Sequence, residues 1–253
     1  MSNDLAARRA AVLGPNVPTF YETPVHLVKG KGVWVWDSDG RKYLDCYNNV
    51  PHVGHCHPHV VTAIATQAAK LNTHTRYLHV GIVEYCERLT AKFQTQLDLV
   101  IMVCSGSEAN DIALRMAQAM NGKTGLIATD NTYHGNTMAV SQLSSRKPPI
   151  GGYASHIRHI PAPDNLRPVG GTVDGQAAAF AQELQTAIDD LEGSGHGFSG
   201  FVFCPTFANE GLPDLPKNFM KPAEQVVKAA GGLLISDEVQ PGFGRGGETW
   251  WGH

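Results

Sequence analysis

The 253-residue sequence has few charged residues and no strong excess of either sign. Charged residues make up 17% of the chain, and 20 basic residues against 23 acidic ones leave a net charge of −3 with neutral histidines. Nucleic-acid binding depends on neutralising many phosphates, so this balance argues against a nucleic-acid partner. Because 42% of the residues are hydrophobic, the chain can bury a large core, and we expect a globular protein.

Long apolar runs and paired cysteines are also missing. The longest apolar stretches, such as residues 99–104, are far shorter than the roughly 20 residues of a membrane span. Proline interrupts the polar N-terminal segment before a signal-peptide core can form. The five cysteines are an odd number without a C-x-x-C pair, which argues against a disulfide framework. We therefore expect a cytoplasmic protein with no membrane partner.

The pattern of apolar residues changes after residue 95, which predicts two domains. In residues 1–95, a turn at 37–40 (DSDG) between alternating segments predicts a hairpin, and a spacing of 3.6 after Pro58 predicts a helix. A second helix is predicted over 81–94. Residues 96–253 instead alternate apolar runs with helical windows, which predicts an α/β domain with a mostly parallel sheet and helices on both faces.

Five apolar runs are predicted to form the strands of this α/β domain. They are LVIMVC (residues 99–104), TGLIATD, HIRHIP, GFVFCP and GGLLISDE, with helices near residues 107–120, 176–191 and 217–230. Ligands of parallel sheets bind at the carboxyl ends of the strands. Functional side chains are therefore expected directly after these runs.

Three strand ends carry side chains that suit a cofactor. A helix is predicted to begin at S-G-S-E-A-N (105–110), and its free N–H groups could hold a phosphate. The same residues are also typical of an ordinary capped helix that binds no ligand. Tyr133 could lie against a planar ligand or belong to the core. Asp237 and Glu238 follow an apolar strand, where a buried carboxylate needs a cation or a hydrogen-bond donor. The protonated nitrogen of a pyridine cofactor is one candidate. A metal ion is less favoured, because the two side chains point in opposite directions.

A histidine-rich stretch offers a separate candidate for a metal site. Its potential ligands are His52, His55, Cys56, His57 and His59. No second ligand pair follows at a distance typical of zinc sites, and adjacent residues rarely converge on one tetrahedral ion. We therefore expect no metal here.

Together, these motifs make the chain resemble the class III pyridoxal-phosphate-dependent aminotransferases of fold type I. The resemblance covers essentially the whole chain and rests on N-N-V-P-H-V-G-H-C-H-P (48–58), L-N-T-H-T-R-Y-L-H (71–79), S-G-S-E-A-N, Y-H-G and D-E-V-Q-P-G-F-G-R. It implies the fold type I architecture and pyridoxal 5'-phosphate as cofactor. It also implies a homodimer when the protein is full length, with each active site at the subunit interface.

The resemblance also implies roles for individual residues. Gly106 and Ser107 would hold the cofactor phosphate, and the Tyr133 ring would stack on the pyridine. Asp237 would pair with the ring nitrogen, while Gln240 would approach the phenolic oxygen of the ring. These five residues are the predicted cofactor site.

Two further parts of the family pattern are altered or missing. Glu210, in C-P-T-F-A-N-E-G, is taken to match a family glutamate beside the substrate, although its surroundings depart from E-P-x-Q-G-E-x-G. The family's lysine binds the cofactor and moves a proton, and no lysine of this chain stands at the matching position. The resemblance also implies a small C-terminal domain, which we expect to be missing. The expectation is an N-terminal fragment that is inactive alone.

Three functions follow from the resemblance. The first is transfer of an amino group from an amine or amino acid to a 2-oxo acid by the full-length parent. The second is a phospholyase acting on phosphoethanolamine or phosphohydroxylysine, which residues 48–58 and 71–79 also resemble. The third is a non-catalytic cofactor-binding or interaction remnant, which would be soluble alone. A broken enzyme would leave apolar surface uncovered, and we expect aggregation.

Overall fold

A computed structural model describes residues 2–14, 16–47, 51–93 and 97–253 of the chain. Two compact units are present, Met1–Val80 and Gly81–His253. The N-N-V letters at residues 48–50 and the predicted helix end at residue 94 lie outside the described residues. The predicted domain division after residue 95 stays a prediction.

The first unit contains a small antiparallel sheet and helices. Its elements are helix α1 (Ser2–Leu13), strands β1 (Leu27–Lys31), β2 (Trp34–Asp37) and β3 (Lys42–Leu44), paired in that order, and helix α2 (Pro58–Ala68). The predicted hairpin is confirmed. Its turn is stabilised because the Asp37 carboxylate accepts hydrogen bonds from the backbone N–H groups of Asp39 and Arg41 and from the Tyr43 hydroxyl.

The histidine-rich stretch connects this sheet to α2. His55 pairs through its backbone with Gly32, and its Nε2 lies 2.7 Å from Oδ2 of Asp45. No group of three or more potential metal ligands occurs in the ranges that the structure describes. Helix α2 begins at the predicted proline, Pro58, but it has no buried residue.

The second unit is built on a four-stranded parallel sheet. Its elements are α3 (Val80–Thr90), α4 (Gly106–Asn121), β4 (Gly125–Thr129), β5 (Ile157–Ile160), α5 (Gln176–Gly193), β6 (Phe198–Phe203), α6 (Lys221–Ala229) and β7 (Leu233–Ser236). The strand order is β5-β4-β6-β7, and every neighbouring pair is parallel. All four strands were predicted from their apolar runs, and the parallel α/β architecture is confirmed.

Helices cover both faces of this sheet because successive side chains of each strand point to opposite sides. On one face, Ile127 and Phe201 belong to a core formed with α5 and α6. On the other face, Leu126 and Val202 belong to a core that includes Leu114 of α4 and the short 3-10 helix Val140–Leu143. The two cores fix the sheet between helical layers and hold its carboxyl edge in place.

The predicted strand at residues 99–104 is wrong, because this segment is irregular in the structure. Leu99 is 90% exposed and Ile101 is 58% exposed. A strand requires a neighbour that pairs with its backbone N–H and C=O groups, and none of the described strands pairs with this segment. The strand was predicted from apolar composition alone, which does not establish pairing.

None of the helices within the described ranges is long and apolar enough to cross a bilayer.

Candidate active site

A cavity of about 210 Å³ opens at the carboxyl edge of the parallel sheet. Its walls come from the start of α4 and from the segments that follow β4, β6 and β7. The five residues of the predicted cofactor site all line it: Gly106, Ser107, Tyr133, Asp237 and Gln240. Residues that are far apart in sequence thus meet at one place.

The start of α4 supplies one wall because its first N–H groups have no partner inside the helix. Ser105 is the N-cap, and its hydroxyl accepts the N–H of Glu108 at 3.2 Å. The Glu108 carboxylate accepts the N–H of Cys104 at 2.7 Å. These bonds leave the N–H groups of Gly106 and Ser107 at the positive end of a 16-residue helix, which favours an anion such as phosphate.

A second wall is the loop after β4, which packs closely on the start of α4. Gly135 has φ 139°, and a Cβ atom there would lie 2.5 Å from Oγ of Ser107. The same Oγ accepts the N–H of Asn136 at 3.1 Å. The loop therefore needs glycine at position 135. Beside it, the Tyr133 side chain lies 46% exposed at the cavity.

Asp237 forms the buried carboxylate of the cavity. It follows β7 directly and is 8% exposed. Its Oδ2 lies 2.7 Å from Nδ1 of His134 and accepts the side-chain amide of Asn110 at 2.8 Å, while Oδ1 accepts the N–H of Val239 at 3.0 Å. A carboxylate can accept about four hydrogen bonds, and the described residues supply three. One position on Oδ1 is left for a donor in the cavity.

The surroundings of Asp237 keep its carboxyl group ionised. Burial raises the pKa of Asp237. The hydrogen bond and charge of His134, the Val239 N–H and the Asn110 amide lower the pKa by more than burial raises it, so the pKa lies below its usual value. Nearby, burial raises the pKa of the Cys204 thiol, which also lines the cavity. The cavity therefore combines an anionic carboxylate with a neutral thiol.

Glu210 is not among the residues that line this cavity, and its predicted place beside the substrate stays a prediction. Its Oε1 accepts the hydroxyl of Thr129 at 2.7 Å, and its buried Oε2 has no hydrogen-bond partner among the described residues. Asn209 lines the cavity instead. When E-P-x-Q-G-E-x-G is written against C-P-T-F-A-N-E-G from Cys204 onward, the second glutamate of the pattern falls on Asn209, so the sequence match was displaced by one residue.

Asn110 and His134, which had no predicted role, hold the Asp237 carboxylate. Asn110 also donates to the backbone oxygen of His134 at 2.8 Å. A signal for Asn110 was available, because it shares the buried face of α4 with Leu114 and Ala117. A polar residue on such a face needs a hydrogen-bond partner. His134 stood in the Y-H-G motif, directly after the predicted ring Tyr133.

A helix start that suits phosphate, an exposed aromatic ring and a buried carboxylate at the carboxyl edge of a parallel sheet define the site of a pyridoxal-phosphate-dependent α/β enzyme. Residues 18–253 match the family described as aminotransferase class III. The chain belongs to this family.

Three relatives show how the chain compares with known members. It is 36% identical to the Drosophila melanogaster protein named alanine–glyoxylate aminotransferase 2-like, covering 94% of this chain and 50% of that protein. It is 30% identical to ethanolamine-phosphate phospho-lyase homolog 1 of Caenorhabditis elegans, covering 99% and 56%. A phospholyase from Arthrobacter, solved with phosphoethanolamine, is 44% identical with a TM-score of 0.91, covering 98% and 59%. The chain thus spans about half the length of the curated relatives it matches.

The family is pyridoxal-phosphate-dependent, and the residues of the cavity fit this cofactor. The free acceptor position of Asp237 suits a protonated ring nitrogen, and the N–H groups of Gly106 and Ser107 suit the phosphate. The accessible Tyr133 ring suits a planar ring. No lysine is among the described residues that line the cavity.

Proposed function

We propose that this chain supplies the cofactor-binding part of an aminotransferase that moves an amino group from an amine or amino acid to a 2-oxo acid. The observation that carries the proposal is the buried Asp237 side chain, which accepts three hydrogen bonds from described residues and keeps one acceptor position for a donor in the cavity. Pyridoxal phosphate, when bound, withdraws electrons from the substrate carbon that bears the amino group. Asp237 supports this by holding a proton on the ring nitrogen.

The other residues of the cavity orient the Asp237 carboxylate or would hold the cofactor. His134 and Asn110 fix the direction of the Asp237 carboxylate through the bonds at 2.7 and 2.8 Å. Gly106 and Ser107 would bind the phosphate through backbone N–H groups, and the Tyr133 ring would lie against the planar ring and keep water from it. Gln240, which lines the same cavity, would approach the phenolic oxygen.

We further propose that the 253 residues bind the cofactor without completing turnover. The proposal rests on the cavity lining, where no described residue is a lysine, because this chemistry uses a lysine to move the proton. Borohydride reduction after incubation with pyridoxal phosphate checks this. We expect no stoichiometric adduct at a single lysine, and finding such an adduct contradicts the proposal.

The test of cofactor binding uses pyridoxamine 5'-phosphate, whose amine cannot form a Schiff base with a protein lysine. Fluorescence titration of the 253-residue chain is expected to show saturable binding. Asp237→Asn removes the negative charge and is expected to weaken binding about 10- to 100-fold, because hydrogen bonds to charged groups contribute about 1.5–3 kcal/mol. Glu248→Gln, at an exposed carboxylate, is the matched control and is expected to change affinity less than about twofold. Equal affinities of the unaltered chain, Asp237→Asn and Glu248→Gln for pyridoxamine phosphate contradict the proposal.

A phospholyase acting on phosphoethanolamine or phosphohydroxylysine is the second candidate. It is favoured by the 44% identity to the Arthrobacter phospholyase over 98% of this chain. The two functions differ in the fate of the substrate. The protein that contains this chain can be tested with phosphoethanolamine. Release of inorganic phosphate without a 2-oxo acid supports the lyase, whereas turnover that requires a 2-oxo acid supports the aminotransferase.

We also propose that this protein is a cytoplasmic homodimer.

A further inference from the structure

A second cavity, of about 390 Å³, adjoins the cofactor cavity. The two cavities share three lining residues, Tyr133, Gly135 and Asn209. Its volume lies within the roughly 300–1,000 Å³ typical of small-molecule sites. Because the cavities share a wall, one molecule could place its reacting end beside the cofactor and its other end in the second cavity.

The second cavity is lined by positive charge. Arg146 and Lys147 both line it, and no acidic residue is among the described residues that form its wall. Neither Arg146 nor Lys147 forms an ion pair within the described part of the chain. Two unpaired cations at one cavity favour an anionic ligand. By contrast, the cofactor cavity is lined by the Asp237 carboxylate, and no arginine or lysine is among the described residues of its wall.

The segment before these two cations is held by hydrogen bonds to the loop that carries Tyr133. The buried Ser144 donates from Oγ to the carbonyl oxygen of Thr132 at 2.8 Å, and Oγ of Ser145 accepts the N–H of Asn131 at 2.7 Å. The Tyr153 hydroxyl donates to the carbonyl oxygen of Ser144 at 3.0 Å. The backbone that leads into Arg146 and Lys147 is therefore fixed relative to the wall shared by both cavities, which reduces the cost of ordering this backbone segment on binding.

We infer that Arg146 and Lys147 bind the phosphate group of a phosphorylated amine substrate whose amino end lies at the cofactor cavity. This inference rests on the proposed function of the cofactor cavity and names the substrate class of that site. A phosphate monoester carries a charge near −2 at neutral pH, which matches two cations, whereas a carboxylate would leave one cation unbalanced. The guanidinium fork and the ammonium group both form charge-assisted hydrogen bonds to phosphate oxygens.

The test measures binding to the 253-residue chain by isothermal titration calorimetry, with and without saturating pyridoxamine phosphate. The probes are phosphoethanolamine, ethanolamine and β-alanine. Phosphoethanolamine is expected to bind at least about tenfold more tightly than the other two, because it alone carries a dianionic group. Inorganic phosphate is expected to compete with it. No measurable binding of phosphoethanolamine, or equal affinity for all three probes, overturns the inference.

A double variant, Arg146→Gln with Lys147→Gln, tests the two cations directly. It is expected to weaken phosphoethanolamine binding at least about tenfold. The control is Arg115→Gln with Lys217→Gln, which removes the same charge from two exposed residues that line neither cavity. This control is expected to change affinity less than about twofold. Equal losses in the two double variants, or no loss in either, overturn the inference.

Pyridoxamine phosphate binding separates this inference from the proposed function. Arg146→Gln with Lys147→Gln is expected to bind pyridoxamine phosphate as the unaltered chain does, which also shows that the variant is folded. A loss there means that the two cations hold the cofactor phosphate instead, and the inference fails while the proposed function stands. If the unaltered chain does not bind pyridoxamine phosphate, the proposed function fails.

Discussion

Asp237 accepts three hydrogen bonds at a position where 8% of its surface is exposed. The charge of such a group depends on its partners, because burial alone favours the neutral acid. Here His134, the Val239 N–H and Asn110 outweigh burial, so the pKa of Asp237 is lowered. The carboxylate is thus prepared for a cationic donor before any ligand arrives.

This lowered pKa predicts how stability depends on pH. A carboxyl group whose folded pKa lies below its unfolded value contributes stability above the unfolded pKa of about 3.9, and this contribution is lost as pH falls through the folded pKa. The unaltered chain should therefore lose stability on acidification more steeply than Asp237→Asn. Urea unfolding between neutral pH and about pH 3 measures this. Parallel pH profiles for the two proteins contradict the account, and Glu248→Gln serves as the exposed-carboxylate control.

The sequence could indicate Asp237 but not its partners. A carboxylate directly after an apolar strand stands out by position alone. His134 is separated from it by 103 residues and Asn110 by 127, and only the sheet order and the direction of α4 bring these side chains together. The role of Glu210 stays a prediction, and when the motif is counted from Cys204 its second glutamate falls on the neighbouring residue, Asn209.

Strands β4 and β6 of the second unit were predictable because their apolar runs are buried on both faces of the sheet. Strands β4 and β6 consist entirely of buried residues, and such strands appear in sequence as continuous apolar runs. The run at residues 99–104 has the same composition but no pairing partner among the described strands. Pairing is a property of two segments, so the composition of one segment cannot establish it.

The contact between the loop after β4 and the start of α4 predicts the effect of a change at Gly135. Gly135→Ala would place a Cβ atom 2.5 Å from Oγ of Ser107 at φ 139°. We expect the free energy of unfolding to fall by about 1–3 kcal/mol and pyridoxamine phosphate affinity to fall with it. Urea unfolding and fluorescence titration measure the two effects.

The matched control for this change is Gly193→Ala. Gly193 is the last residue of α5, and a Cβ atom there meets no other atom within 4 Å. We expect it to change stability by less than about 1 kcal/mol, with no loss of cofactor affinity. Similar losses in both variants would show that the Gly135 contact is not specific to the site.

At the scale of the whole molecule, exposed apolar side chains predict self-association of the 253-residue chain. Leu99 is 90% exposed, Leu78 is fully exposed and Ile64 of α2 is 65% exposed. Exposed apolar surface of this kind favours contact between copies. We expect elution from a size-exclusion column earlier than a 27.2 kDa monomer, with a shift that grows with concentration. A monomeric peak at all concentrations contradicts this and favours the soluble binding remnant.

Asp237 is proposed to hold a proton on the ring nitrogen of a bound cofactor. The nitrogen NMR chemical shift of pyridoxamine phosphate, isotope-labelled at its ring nitrogen and bound to the chain, reports that proton directly. We expect the shift of a protonated pyridine in the unaltered chain and of a neutral pyridine in Asp237→Asn, at a pH where the free ring is deprotonated. A neutral ring nitrogen in the unaltered chain would contradict the account.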